Sequence, residues 1–411
     1  MKADAVVIGG GASGLLLAAT AAQRGLKIIL LEPNDKLGRK LRLTGKGRCN
    51  ITNDCDVAEV ISNITSNKKF VKTALYNFSP ADTISFFSSI GVKMKTERGN
   101  RVFPLSDSAD EVADKLASFA KSSGVIVSKA KAESVLTDNG EVTSVLTSKG
   151  KIECRACAVC TGGLSYPGTG SKGDGHKIAS MLGHKITACR PSLVALVSED
   201  SFCSDMQGLS LKNINLSAFE DGKLVYSDFG EMLFTHFGVS GPLVLSASAH
   251  MQSFEKCKYE LVLDLKPALS EKKLDIRVLR DFEKYKNSAF KNALADLVPK
   301  SMVSAIITQT GIPSDTAVNS ITNQQRKALV QTLKTFRINI VGPLNMESAI
   351  ITSGGVDTSE IDPRTMQSKL VKGLFFAGEI LDVDAYTGGY NLQIAWSTAR
   401  MAGNNLCKEE K

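Results

Sequence analysis

The sequence has no block of lysine and arginine residues, although its 411 residues carry a formal net charge of +8. Dispersed positive charge is compatible with small anionic ligands but does not form the concentrated patch that is typical of nucleic-acid binding. We therefore expect a small-molecule substrate and no nucleic-acid partner. Whether the chain is a monomer or a homo-oligomer stays open.

A long apolar run is also missing. The longest candidate, residues 5–22, is interrupted by glycines and by Ser13, and no cleavage site follows it. The run therefore predicts neither a signal peptide nor a membrane span, and we expect a cytoplasmic protein that does not associate with membranes.

No disulfide framework is indicated, because the nine cysteines are odd in number and scattered along the chain. Cys154, Cys157 and Cys160 form a C-x-x-C-x-x-C motif without a fourth cysteine nearby. On the strand predicted there, three-residue spacing alternates between faces, so the thiols cannot converge on one metal. We expect no metal site.

What the sequence does contain is a complete βαβ pattern at residues 5–32. A short apolar strand leads into Gly9, Gly11 and Gly14, spaced as G-x-G-x-x-G, and then into a helix, a second strand and Glu32. The first glycine permits a sharp turn, the second lets backbone approach a pyrophosphate, and the third lets helix and strand pack closely. The helix start, with Ala12 and Ser13, would point free N–H groups at phosphate.

Glu32 ends the second strand, 18 residues after Gly14. A carboxylate there can accept hydrogen bonds from both ribose hydroxyls and would repel a 2′-phosphate. The pattern therefore predicts FAD or NAD as the bound nucleotide rather than NADP.

Residues 33–53 are rich in glycine and basic residues and have little apolar periodicity. We interpret them as a loop around the anionic part of the dinucleotide; a solvated basic loop is the alternative. The glycines and cations concerned are Gly38, Gly45, Gly47, Arg39, Lys40, Arg42, Lys46 and Arg48.

The pattern changes near residue 190, from alternating helices and strands to short strands. Residues 191–266 and 337–350 predict a small β-barrel or sandwich, and residues 267–336 a helical insertion. A further strand, 374–377, ends at Gly378 and Glu379, and a Gly388-Gly389 turn opens a last helix. Residues 1–190 and 351–411 would form one nucleotide domain of α/β class, in which the backbone near Lys131 would touch the adenine.

Three stretches together resemble the BaiN/YhiN-type flavoproteins: GRKLRLTGKGRCNITN, GEMLFTHFGVSGP, and the segment from ITSGGVDTSE to NLQIAWSTA. The resemblance covers essentially the whole chain. It implies a glutathione-reductase-like FAD (Rossmann) domain interrupted by a β-barrel domain that carries a helical insertion. It also implies FAD contacts for Gly9, Gly11, Ser13, Gly14, Glu32, Lys40, Thr44, Gly45, Asn50, Gly162, Gly163, Glu379, Asn391 and Leu392.

The same resemblance implies an oxidoreductase that reduces a C=C bond conjugated to a ketone, as in 3-oxo-Δ4 or Δ6 steroids and bile acids, with NAD(P)H as electron donor. Candidate proton donors are Tyr386, His236 and Tyr166, each beside a glycine turn. No second glycine fingerprint marks a nicotinamide site. A flavin oxidase of a small amine such as aminoacetone, and a non-catalytic flavin-binding module that contacts RNA or protein, are the alternatives.

Overall fold

The computed structural model describes residues 1–408, which form two compact units. Unit 1 contains residues 1–192 and the described residues from 346 onward, and unit 2 contains residues 193–345. The strands are β1 Ala5–Ile8, β2 Ile28–Leu31, β3 Thr52–Asn53, β4 Met94–Glu97, β5 Arg101–Pro104, β6 Ile126–Ser128, β7 Ala132–Asp138, β8 Glu141–Thr147, β9 Gly150–Glu153, β10 Ala156–Val159, β11 Ile186–Ser192, β12 Leu196–Val197, β13 Ser210–Glu220, β14 Lys223–Thr235, β15 Gly238–Ser240, β16 Tyr259–Asp264, β17 Phe336–Ile340, β18 Gly342–Pro343, β19 Ile351–Val356 and β20 Leu374–Phe376. The α-helices are α1 Ala12–Ala22, α2 Arg39–Gly47, α3 Val57–Ser62, α4 Lys68–Asn77, α5 Pro80–Ser89, α6 Ala109–Ser122, α7 Asp174–Met181, α8 Phe202–Asp205, α9 Pro242–Ser248, α10 Glu271–Lys284, α11 Phe290–Ala293, α12 Val303–Thr310, α13 Asn323–Lys334 and α14 Tyr390–Asn405.

Unit 1 is built on a parallel sheet with strand order β20-β10-β1-β2-β6. Its central strands are short and fully apolar, as expected where helices cover both faces of a sheet. The strand β20, from near the C-terminal end of the described chain, pairs with β10, which in turn pairs with β1. Both ends of the chain therefore contribute to one sheet, and the predicted α/β fold with a Rossmann domain is confirmed.

The helices α1 and α14 pack closely because small residues line their contact. A Cβ built on Gly403 would lie 2.8 Å from Thr20 Cβ and 2.9 Å from the Leu17 carbonyl oxygen. Trp396, on the same helix, is fully buried and donates its indole N–H to the Ile51 carbonyl at 3.0 Å. These contacts fix α14 beside the first βαβ motif.

Unit 2 is built on an antiparallel sheet with strand order β17-β16-β13-β14-β15-β12-β18. The two edge strands, β17 and β18, are separated by a single residue, Val341, so the sheet curls until its edges meet, like a barrel. Helices α10 and α13 bury Leu274, Val278 and Leu329 in the same core as the sheet. The helical segment thus shares one hydrophobic core with the strands around it.

Some local predictions were wrong. The sequence pattern predicts a turn at Gly230, but Gly230 lies inside the continuous strand β14, and the neighbouring strand β13 has a bulge at Asn213 (φ 57°). The predicted loop after Glu32 contains the helical segment α2, because Leu41 is buried against unit 1 and anchors it. Within residues 1–408, no helix is long and apolar enough to span a lipid bilayer.

Candidate functional site

Of the three glycines in the G-x-G-x-x-G motif, packing within the protein requires Gly9 and Gly14 but not Gly11. A Cβ on Gly9 (φ 106°) would lie 2.5 Å from the Cys160 carbonyl oxygen, and one on Gly14 would lie 1.9 Å from the Gly9 oxygen. A Cβ on Gly11 would meet no atom within 4 Å. The helix α1 also begins without a side-chain cap. Gly11 therefore leaves open space at a helix N-terminus, which suits a phosphate group.

Glu32 lies at the end of β2, beside this turn. Its Oε2 accepts the Gly10 N–H at 2.9 Å, and its Oε1 accepts the Asn34 N–H at 2.9 Å. A pocket beside it is lined by Glu32, Asn34, Asp35, Leu37, Lys121, Val125, Val127 and Lys129. A carboxylate above an open, partly apolar pocket fits a ribose and its base.

The backbone and the side chain of Lys131 both make contacts within the protein. Its N–H donates to Ser148 Oγ at 3.1 Å, and its carbonyl accepts the Ser148 N–H at 2.9 Å. Its ammonium group pairs with Asp174 at 3.0 Å. The two hydrogen bonds with Ser148 extend the pairing of β7 with β8 by one residue, and the nearby residues Val127 and Lys129 line the pocket beside Glu32.

A compact polar cluster forms around Glu379, which follows β20. Lys40 Nζ lies 2.5 Å from Glu379 Oε2 and 2.6 Å from Ser165 Oγ. Glu379 Oε1 accepts hydrogen bonds from Ser165 Oγ and from the Thr352 N–H, both at 2.9 Å. The carboxylate thus joins three distant segments of unit 1. The sequence motifs assign no role to Ser165 or Thr352, although Ser165 follows the Gly162-Gly163 turn and Thr352 lies in the ITSGGVDTSE stretch.

The predicted glycine turns lie against this cluster and against the first turn. A Cβ on Gly163 would approach Thr352 Oγ1 to 2.4 Å and Glu379 Oε1 to 3.2 Å, and Gly162 lies beside the same carboxylate. A Cβ on Gly378 would lie 2.5 Å from Ser13 Oγ on α1. The turns after β1, β10 and β20 therefore meet at the same edge of the parallel sheet, where nucleotides bind in such folds.

The basic residues after Glu32 divide into two groups. Arg39 donates to Asn34 Oδ1 at 2.6 Å, and Asn34 in turn donates to Glu32 Oε1 at 2.6 Å, so Arg39 stays near the ribose position. Arg48 instead pairs with Glu97 and with Asp107 and lies over the Phe103 ring. Two protein carboxylates therefore already hold the Arg48 guanidinium, and a contact of Arg48 with the cofactor stays a prediction.

Residues 44–50 form a tight irregular turn. Gly45 has φ 59°, and a Cβ there would lie 3.1 Å from the Asn50 amide nitrogen. Within the part of the chain that the structure describes, Asn50 Oδ1 and Thr161 Oγ1 are buried without a hydrogen-bond partner. A buried polar atom without a partner is costly, so these atoms fit a bound group that supplies hydrogen bonds.

The C-terminal glycine turn positions the start of α14. Gly389 has φ 101°, and a Cβ there would lie 2.4 Å from the Thr52 carbonyl carbon. The Asn391 side chain bonds the loop before it: Oδ1 accepts the Ala385 N–H at 2.9 Å, and Nδ2 donates to the Ala385 carbonyl at 2.7 Å. The Asn391 side chain therefore braces the preceding loop, and Leu392 beside it is half-buried at the start of α14.

Of the three candidate proton donors, Tyr166 lies beside the Glu379 cluster, with Lys40 Nζ 5.7 Å from its ring centroid. Tyr386 lies in the loop braced by Asn391, and its carbonyl accepts from Asn391 Nδ2 at 3.3 Å. His236 belongs to unit 2, where its ring packs edge-on against Phe237 at 5.0 Å.

The cysteines of the C-x-x-C-x-x-C motif are buried thiols. Burial raises the pKa of Cys154 and of Cys160 to about 12, and it raises the pKa of Cys157 well above its ordinary value. Metals bind the thiolate form of cysteine, which such burial disfavours. Among residues 1–408, no group of three or more His, Cys, Asp or Glu side chains is arranged to hold a metal ion.

Two buried histidines predict a pH dependence of stability. Burial lowers the pKa of His176 and of His184 below the ordinary value, although Glu360 opposes the shift at His184. The unfolded chain therefore binds these protons at higher pH than the folded chain does. The contribution of these two histidines to the free energy of unfolding is therefore present in full above about pH 6.5. It is lost as the pH falls towards their pKa values in the folded protein.

We expect the melting temperature to fall between about pH 7.5 and about pH 5, and the fall to be smaller in a His176→Leu, His184→Phe variant. Differential scanning calorimetry of both proteins at the two pH values measures this. An equal fall in both proteins would show that other groups cause the acid sensitivity.

A family model described as "HI0933-like protein Rossmann domain" matches residues 3–405. The chain is 32% identical over 405 residues to a ribosomal RNA dihydrouridine synthase of Escherichia coli, covering 98% of each chain. It is 27% identical over 401 residues to a 3-dehydro-bile acid delta(4,6)-reductase of Clostridium scindens, covering 97% of each. Among solved structures, a 3-ketosteroid-delta4-(5alpha)-dehydrogenase from Rhodococcus jostii RHA1 shares the fold, with a TM-score of 0.55 at 14% identity over 99% of this chain and 97% of that one.

Proposed function

The chain belongs to the HI0933-like family of Rossmann-domain proteins, and from that premise we propose that this FAD-dependent oxidoreductase reduces a C=C bond conjugated to a carbonyl group, with uracil in ribosomal RNA as its substrate. The full-length similarity to two relatives whose names share this chemistry carries the proposal. In uracil the 5,6 double bond is conjugated to the C4 carbonyl, and in a 3-oxo-Δ4 steroid the double bond is conjugated to the C3 carbonyl. One catalytic arrangement can therefore serve either ring.

The residues at the sheet edge fit FAD. The open space at Gly11 and the uncapped start of α1 would hold the pyrophosphate, and Glu32 would accept the ribose hydroxyls. Lys40, held by Glu379 and Ser165, would place a positive charge near the phosphate and ribityl portion. The unpartnered Asn50 and Thr161 oxygens would gain hydrogen bonds.

When bound, FAD supplies a two-electron carrier that can accept hydride from NAD(P)H and pass it to the substrate. The reaction adds hydride to the β carbon of the conjugated system and a proton to the α carbon. The protein must supply that proton and exclude competing solvent. Tyr166 leads the candidates because it adjoins the Lys40 and Glu379 cluster, with Tyr386 and His236 as alternatives.

The sequence predicts no nucleic-acid partner, because the chain has no contiguous block of basic residues. The proposed RNA substrate replaces that expectation. A small 3-oxo-Δ4,6 substrate is the second candidate, favoured by the bile-acid reductase relative. Both candidates contain a C=C bond conjugated to a carbonyl group. Reduction of the flavin therefore tests the electron donor, and reoxidation of the reduced flavin distinguishes the two substrates.

We expect anaerobic NADH or NADPH to bleach the flavin absorption of the purified yellow protein. Reoxidation should follow addition of a ribosomal RNA fragment, with a mass gain of two hydrogen atoms on one uridine measured by nucleoside mass spectrometry. Reoxidation by a 3-oxo-Δ4 steroid but not by RNA would select the second candidate. Bleaching by aminoacetone alone, followed by reoxidation in air, would establish an amine oxidase and reject both reductase proposals.

A further inference from the structure

The helix α4 has an unusually basic exposed face. Its other face buries Phe70, Val71, Ala74 and Leu75. The exposed positions Lys69, Lys72 and Tyr76 follow the spacing i, i+3, i+7 and form one stripe, with Lys68 beside Lys72 at i, i+4. Tyr76 is 60% exposed, a large value for an aromatic side chain.

This arrangement opposes the stability of the helix itself. The first turn of α4 contains no acidic residue and two lysines, where the positive end of the helix dipole favours acids. Lys68 and Lys72 are a like-charge pair at i, i+4, which is also unfavourable. Across the described residues 1–408, no carboxylate makes an ion pair with Lys68, Lys69 or Lys72. These lysine charges destabilise the helix, and no other group in the described part of the chain offsets that cost. Such an arrangement indicates that the lysines serve in binding.

The start of α4 is attached to the loop that leads into the candidate cofactor site. Asn67 Nδ2 donates to the Asp382 carbonyl at 2.6 Å, and the Thr65 N–H donates to the Asp384 carbonyl at 2.9 Å. The Tyr386 N–H donates to the Asn63 carbonyl at 3.0 Å. Two residues beyond Tyr386 the chain reaches the Gly388-Gly389 turn and α14. The basic stripe therefore begins where the loop bordering the site is anchored, and both lie in unit 1.

We propose that Lys68, Lys69, Lys72 and Tyr76 form the docking surface for single-stranded RNA next to the uridine to be reduced, a partner that follows from the proposed function. The lysines bind backbone phosphates, which releases counterions, and Tyr76 stacks on an unpaired base. Because the surface is attached to the loop before α14, RNA held there presents a neighbouring nucleotide to the site.

The test compares three flavin-loaded proteins: wild type, the variant K68Q/K69Q/K72Q, and the control variant K2Q/K149Q/K151Q. The control lysines are also exposed and lie in or beside the β7–β9 meander. Binding of a fluorescent, uridine-containing single-stranded RNA is followed by anisotropy across a salt series. Dihydrouridine formation in the same RNA is measured in parallel, and flavin absorption reports folding.

We expect the α4 variant to lose at least about tenfold in affinity at low salt, and the slope of log K against log salt to become shallower by about 2, since each phosphate contact contributes about 0.7. The control should retain both values. A Tyr76→Ala variant should lose affinity without changing the slope, because stacking releases no counterions. Unchanged affinity and slope in K68Q/K69Q/K72Q, with dihydrouridine still formed, would overturn the docking surface and leave the proposed function intact. If no protein binds RNA or forms dihydrouridine, the proposed function fails and the docking surface fails with it.

Discussion

Replacing Gly11 with valine is expected to give a folded protein that is purified without its yellow colour. A side chain at this position meets no protein atom within 4 Å and requires no unusual backbone angle, so the apoprotein should fold normally. The same side chain would fill the space in front of the first turn of α1, where the pyrophosphate has to accept backbone N–H groups. Losing two hydrogen bonds to a charged phosphate costs at least about 3 kcal/mol, or roughly a hundredfold in Kd.

Isothermal titration of the apoprotein with FAD measures this loss, and the melting temperature without FAD checks the fold. Gly342→Val is the matched control, because Gly342 also has open space around it and lies in unit 2. A Gly11→Val protein that binds FAD as tightly as wild type would show that the turn between β1 and α1 does not hold the cofactor.

The glycine turn was predictable from sequence because its requirements are local. Gly9 needs a positive φ, and Gly14 must let α1 approach the turn, so the residue type follows directly from backbone geometry. The start of α1 is uncapped because its N-cap residue, Gly11, has no side chain, and the position of Glu32 follows from the lengths of α1 and β2. The part of the candidate site that one βαβ unit forms was therefore predictable from the sequence.

Residues that depend on distant partners could not be assigned in this way. Arg48 has the same local context as Lys40, yet Arg48 pairs with Glu97 and Asp107, while Lys40 pairs with Glu379. Only tertiary structure decides which carboxylate reaches which cation. Asn391 shows a different limit: its side chain bonds Ala385, only six residues away, but an irregular loop without a motif does not reveal that contact. The contact between the Thr352 N–H and Glu379 joins segments 27 residues apart, so it too depends on tertiary structure.

The Lys40–Glu379 pair should be energetically coupled, since it lies in a partly buried cluster. The side chains are 23% and 14% exposed, and the carboxylate is also held by Ser165 and by the Thr352 backbone. Removing one partner leaves the other charge poorly solvated, which costs several kcal/mol in full burial and less with this exposure. We expect Lys40→Met and Glu379→Gln each to lower the unfolding free energy of the apoprotein by about 2 kcal/mol.

The double variant, Lys40→Met with Glu379→Gln, should lose clearly less than the sum of the two single losses, because no charge is left without its partner. Urea unfolding of the four proteins gives the coupling energy. The exposed Lys372–Glu141 pair, with side chains 64% and 56% exposed, is the control cycle and should show no measurable coupling. Strict additivity at Lys40 and Glu379 would mean that the pair does not organise the junction between α2 and the turn after β20.

FAD affinity measured in the same four proteins then separates the two roles of Lys40. A loss of affinity in Lys40→Met that Glu379→Gln does not reproduce would come from the missing positive charge near the phosphates rather than from a weakened junction.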